Sequence, residues 1–139
     1  MNSHYEILRY LINEPVINWN IIESQISRNV NVNVTHNNTQ LTLLWVAFCA
    51  DRHEIVFSLL NSGAEPCMIT GYDCTTDVHR ACLSESVAFL EILCENDEDC
   101  VGCWDVFGHT PLVCYILSVF DGISIPRDRA RVRIFIDFI

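Results

Sequence analysis

Apolar residues along this chain fall in short runs at helical spacing, broken by polar or turn-prone punctuation. The clearest run sets Ile55, Val56, Leu59 and Leu60 on one helical face. Asn61-Ser62-Gly63 closes it, with Gly63 suited to a left-handed terminating conformation. Thr42 and Thr110 stand where a hydroxyl accepts an otherwise orphaned N–H at a helix start. Pro111 follows at a first-turn position, where its missing N–H costs nothing. The last residues, "RARVRIFIDFI", fit two periods. Val132, Ile134, Ile136 and Phe138 alternate as in a strand, whereas Val132, Phe135, Ile136 and Ile139 share a helical face.

The runs repeat. Thr42, Thr76 and Thr110 are spaced by 34 residues, and Leu44, Val78 and Leu112 align two residues further on. Ala47 aligns with Ala81, and Leu59-Leu60 with Leu93-Cys94. Each unit reads as two short helices. In this register the chain resembles the ankyrin repeat family, whose unit is a β-turn followed by two helices with a Thr-Pro-Leu-His-x-Ala signature. "TLLWVAFCADRHEIVFSLLNSGAEP" resembles the body of one repeat, and "DVFGHTPL" the turn and helix start of another. The middle unit keeps Thr76, Val78, His79 and Ala81 but lacks the Pro and the turn Gly.

Stepping back one period sets Asn29–Asn33 where the family has Gly-Ala-Asp-Val-Asn. Tyr5–Glu14 and Asn20–Ser27 then form a degenerate first repeat with Pro15 between its helices. The expected fold is therefore all-α: a solenoid of about four helix-turn-helix repeats over 1–36, 37–70, 71–104 and 105–139, forming one domain. "DGISIPRD" after Phe120 reads as an insertion, and the repeat phase selects a helix for the terminal segment. That end lacks a polar cap, which leaves room for further repeats or a second copy against it.

Charge narrows the function classes. The net charge of −10 excludes the basic stripe of an ordinary nucleic-acid binder and suits a protein partner with a basic surface. Arg127, Arg129, Arg131 and Arg133 are the sole basic cluster and read as a solvated helix face. All eight basic residues are arginine. The absence of lysine fits drift in a short chain, and equally a protein that withholds the usual ubiquitin acceptor. No apolar run has the ~20 residues of a membrane span, and the N-terminus has no secretory pattern. The expected location is cytoplasmic or nuclear, with reduced thiols among the eight cysteines. Cys49, Cys82, Cys94 and Cys114 sit in apolar segments as small hydrophobes.

No spacing specifies a catalytic triad, a phosphate loop or a cofactor site, and no enzyme, cofactor or metal is expected. His79 occupies the signature His position, for which the resemblance implies hydrogen bonds to neighbouring backbone. Asp97, Glu98 and Asp99 read as a solvated acidic edge. The resemblance further implies a concave binding face built from turn tips and inner-helix positions. By register these are Asn38, Thr39, Leu41, Tyr72, Asp73, Thr75, Val106, Phe107 and His109 on the turns. On the helices they are Leu83, Ser84, Leu117 and Ser118, with Cys49 and Ala50 at the matching place in the second unit. A short array of this kind resembles the inhibitor-of-NF-κB-like ankyrin proteins, truncated viral ones included, and an inhibitor or adaptor role follows by analogy. The rival class is a zinc- or thiol-dependent protein using Cys67, Cys74, Cys100 and Cys103.

Overall fold

The computed structural model describes residues 3–26 and 30–121. The arginine cluster, the insertion expected after Phe120 apart from its first residue, Asp121, and the terminal segment expected to be helical lie outside the described residues. All regular structure within them is helical: α1 Ser3–Ile12, α2 Trp19–Ile26, α3 Leu43–Cys49, α4 His53–Asn61, α5 Asp77–Leu83, α6 Val87–Asn96 and α7 Pro111–Asp121. A 3-10 turn spans Glu98–Gly102, and Thr35 and Thr42 form an isolated bridge.

The expected helix starts have the expected chemistry. The Thr42 hydroxyl accepts the Trp45 N–H at 3.0 Å, and the Thr76 hydroxyl accepts that of His79 at 3.2 Å. Thr110 receives the Val113 N–H at 3.4 Å, and α7 begins at Pro111. Gly63 has φ +96°, and just beyond it the Ala64 N–H returns to the Leu59 carbonyl at 2.9 Å. The first helix pair departs from the register. Its first helix ends at Ile12, where the Asn13 side chain donates to the Arg9 carbonyl at 2.7 Å. Pro15 then disfavours helical backbone at the residue before it, so a longer link precedes α2.

The 34-residue period recurs in the backbone. Gln40, Cys74 and Gly108, one period apart, all have left-handed φ (59°, 50° and 76°). Asp51 and Glu85, between the helices of their pairs, share φ values of 61° and 58°. Only one of these five positions is a glycine, so four side chains occupy a conformation that costs L-residues about 1–2 kcal/mol.

Contacts group the chain into two compact units, 1–65 with 70–73, and 66–69 with 74–139. In the first, α2 packs on α1 and α4, and α3 packs on α4. Its core includes Leu8, Ile22, Leu43, Val56 and Leu59, all fully buried. In the second, α5 packs against both α6 and α7, and the 3-10 turn packs against α6 and α7. Val78, Phe89 and Leu93 are fully buried there, with Tyr115 and Val119 from α7. Burying one such side chain contributes roughly 1.5–3 kcal/mol. No helix among the described residues is long and apolar enough to cross a membrane.

Candidate functional site

The second unit gathers its polar chemistry around His79 on α5. The ring is fully buried, with Nε2 2.7 Å from the His109 carbonyl oxygen and Nδ1 2.6 Å from the Thr76 hydroxyl. A carbonyl only accepts, so Nε2 carries a proton. The Thr76 oxygen also lies 3.4 Å from Cys103 Sγ, and Cys103 Sγ is 4.0 Å from His79 Nδ1. Thiol, hydroxyl and imidazole therefore form a chain, Cys103–Thr76–His79. Burial alone pulls the His79 imidazole down, but Cys103, the His109 carbonyl and the Asp105 charge together hold it above its ordinary value.

Cys67 completes this cluster from the segment before α5. Its thiol donates to the Cys100 carbonyl at 3.4 Å, and the Cys103 N–H points at the same oxygen at 3.4 Å. The same single thiol proton, turned from the carbonyl to Cys103, hydrogen-bonds that sulfur, which, with burial, pushes Cys67 up. The same bond is the largest cause drawing Cys103 down to about 5, opposed by burial and reinforced by His79 and Thr76. The neighbouring thiols behave otherwise. Cys82 is pushed up to about 12 by burial, and Cys100 is also pushed up by burial and by its bond to Cys94.

On the far side of His79, Asp105 is buried and organises the turn that leads to α7. One carboxylate oxygen accepts the Phe107 and His109 N–H groups at 2.9 and 2.8 Å, and the other accepts the Cys114 thiol at 3.2 Å. His109 Nδ1 lies 3.9 Å from that second oxygen. Burial raises the Asp105 carboxyl, and the three donors outweigh it, leaving it below its usual value. Cys114 is pushed up to about 12 by burial and by Asp105. His79, Asp105 and Cys114 have donor atoms within 4.8 Å of one another, the spacing of a metal set. Each is already engaged, however, and the His79 nitrogen that faces His109 is protonated, so the trio reads as a hydrogen-bond network.

The register-derived contact residues divide. Asn38, Thr39, Tyr72, Asp73, Val106, Phe107, Leu83, Ser84, Leu117 and Ser118 are exposed, and Leu41 and His109 are half-buried. Thr75 is the exception: it is buried, and its carbonyl accepts from the Arg80 guanidinium at 3.4 Å. Arg80 is itself buried beside Asp77 at 2.9 Å, and that pair encloses the position expected at a turn tip. Cys49, at the end of the short helix α3, is exposed, in keeping with its register position beside Ala50 and unlike a small hydrophobe of an apolar segment. Cys114 meets the Asp105 carboxylate as well as the helix stack. The acidic stretch Asp97–Asp99 is exposed as expected, although Asp97 also accepts the Asp99 N–H at 3.0 Å.

Tyr72 and Phe107 are the most open aromatic residues on the turns, at 76% and 75% exposure. The Phe107 ring lies 6.3 Å from that of His109, a local contact that leaves most of it in solvent. Trp104 is also widely exposed, at a position to which the repeat register gives no contact role. Its ring lies beside Gly108, where an added Cβ would meet it at 3.6 Å. Of the rival cysteine set, the structure brings Cys67, Cys100 and Cys103 together, while Cys74 sits on a left-handed turn with its carbonyl on the Val106 N–H.

No protein-family model matches the chain, and no curated protein matches it.

Proposed function

We propose that this chain is an ankyrin-type, non-enzymatic interaction module that binds a basic-surfaced protein through its exposed turns. Support for the repeat reading comes from threonine-capped helices and left-handed turn residues recurring at one 34-residue period. The observation that carries the binding reading is the exposure of Tyr72 and Phe107 on turns whose backbones are held by internal hydrogen bonds. Gly71 N–H bonds the Gln40 carbonyl at 3.1 Å, and Asp105 receives the Phe107 N–H. An aromatic ring on a fixed turn loses little freedom on binding, which suits it to anchor an interface. The acidic charge steers a basic partner and makes association sensitive to salt. An inhibitor or adaptor role in a signalling pathway of the NF-κB type is the narrower form of the proposal and rests on the resemblance alone.

The test is affinity capture from the native cell with wild type and the Tyr72→Ala/Phe107→Ala double variant. Losing two anchor side chains should weaken the principal partner by at least about 30-fold, the effect of a single interface hot spot. Neither residue is in the core, so the variant should unfold at the wild-type denaturant concentration. Equal recovery of the same partners by both proteins refutes the assignment.

A further inference from the structure

We infer that Cys103 and Cys67 form a peroxide-responsive dithiol, with Cys103 the attacking sulfur and Cys67 the resolving one. The geometry that carries this is the cluster of four side chains in the second unit. Cys103 Sγ lies 3.4 Å from the Thr76 hydroxyl, which lies 2.6 Å from His79 Nδ1. The Cys67 thiol and the Cys103 backbone N–H meet at the Cys100 carbonyl, so two cysteines far apart in sequence are held at one acceptor. Cys67 is exposed and Cys103 half-buried, which gives a small oxidant access.

A proton can cross this chain without any heavy atom moving far. When Cys103 is a thiol, it donates to Thr76 and the Thr76 hydroxyl donates to Nδ1. After transfer, the Nδ1 proton points at Thr76, and the Thr76 hydroxyl points at the Cys103 thiolate. Thr76 keeps its bond from the His79 N–H in both states, within the two-acceptor capacity of a hydroxyl. The titratable groups facing the pair are Cys67 from the preceding segment, His79 and Cys82 from α5, Cys100 from the 3-10 turn, and Asp97 and Asp105 from the flanking loops. Of these, the bond from Cys67 draws Cys103 down most, burial opposes it, and His79 with Thr76 completes the shift to about 5, so Cys103 is mostly thiolate near neutral pH.

The chemistry balances with hydrogen peroxide as the oxidant. The Cys103 thiolate attacks one peroxide oxygen, an S–O bond forms and the O–O bond breaks. The departing hydroxide takes the His79 proton through Thr76 and leaves as water. Cys103 is now a sulfenic acid, oxidised by two electrons. The Cys67 sulfur attacks Cys103 Sγ, an S–S bond forms, the S–O bond breaks, and hydroxide leaves with the Cys67 proton as a second water. Two thiols and one peroxide give one disulfide and two waters.

At pH ~6 a thiol with this acidity is about nine-tenths thiolate, against roughly 0.3% for an ordinary cysteine. Its lower basicity costs it about 25- to 55-fold in intrinsic nucleophilicity, so the net advantage is on the order of ten-fold. Cys94 and Cys100 are the competing pair, their sulfurs 3.5 Å apart. Cys100 is buried with its thiol pushed up, which withholds the thiolate that peroxide needs.

The experiment treats the fully reduced chain with one equivalent of hydrogen peroxide at pH ~6 and maps the linked peptides by mass spectrometry. The expected product is a Cys67–Cys103 link formed first. Cys67→Ser should instead accumulate a dimedone-trappable sulfenic acid at Cys103, and Cys103→Ser should consume peroxide about 4- to 6-fold more slowly, the exposed Cys49 and Cys74 still reacting. Alkylation of Cys103 in the wild-type chain should rise with pH through a midpoint near 5. This readout needs no variant to fold. A first link between Cys94 and Cys100, first oxidation at the exposed Cys49 or Cys74, or a Cys103 alkylation midpoint in the ordinary thiol range would each overturn the inference.

Discussion

Replacing Asp105 with alanine removes the acceptor around which the turn into α7 is built. Three donors converge on this buried carboxylate: the Phe107 N–H at 2.9 Å, the His109 N–H at 2.8 Å and the Cys114 thiol at 3.2 Å. A hydrogen bond to a charged group contributes about 1.5–3 kcal/mol net, and a thiol bond less. These bonds are part-buried, so water recovers some of the loss. Removing the carboxylate also relieves its desolvation. The balance is a destabilisation of about 3 kcal/mol, on the order of 150-fold in the folding equilibrium. Asp105→Asn retains an oxygen for the two N–H groups and should lose about 1 kcal/mol. Asp99→Ala, in the exposed acidic stretch, should stay within ~0.5 kcal/mol of wild type.

Urea unfolding at neutral pH reads these differences as midpoint shifts at unchanged slope. The pH dependence supplies a second, independent check. Burial opposes ionisation of Asp105, but the His109 and Phe107 N–H groups and the Cys114 thiol outweigh it, so its folded-state pKa lies below the unfolded one. Its contribution is complete above about pH 4 and is lost as pH falls through the lower folded value. The gap between wild type and Asp105→Ala must therefore narrow in acid. An unchanged midpoint for Asp105→Ala, or a gap that widens as pH falls, would refute this account of the turn.

Cys74→Gly relieves a left-handed side chain at the position Gly108 occupies one period later, and should stabilise by about 0.5–1 kcal/mol in urea unfolding after the cost of extra unfolded-state freedom. Leu59→Ala opens a cavity at a fully buried site and should cost about 3 kcal/mol by the same assay, with unchanged far-UV dichroism. A Cys67–Cys103 disulfide would close a loop of roughly 36 residues and, if unstrained, stabilise by about 4 kcal/mol. Thermal melts of oxidised and reduced protein, with Cys67→Ser as control, should show the difference only in the wild type.

Much of the helical framework is legible because its signals are local. Thr42 and Thr76 cap by their own hydroxyls, Gly63 adopts the conformation only glycine takes cheaply, and Pro111 fits a first turn. The left-handed turns at Gln40 and Cys74 are illegible from residue type, since neither is a glycine. Only the period, carried back from Gly108, locates them. Thr75 was misplaced because the register cannot see the buried Arg80–Asp77 pair over it. The thiol cluster had a usable signal: Cys67 stands about one period before the Cys100–Cys103 stretch, and the fold brings the two together. What no pattern encodes is the orientation of Thr76, whose single oxygen meets backbone, imidazole and sulfur at once.

That oxygen binds two properties into one. As the acceptor at the start of α5 it secures the helix, and as a neighbour of Cys103 it helps, after Cys67 and His79, to ease a proton from sulfur. Linkage makes such a coupling reciprocal. Whatever loosens the first turn of α5, whether heat, a partner pressing on the helix or a substitution nearby, must raise the affinity of Cys103 for its proton by the same free energy that deprotonating Cys103 adds to the hold on that turn. The acidity of one thiol thus becomes a gauge of how firmly a helix is seated, readable by alkylation rate without unfolding the protein.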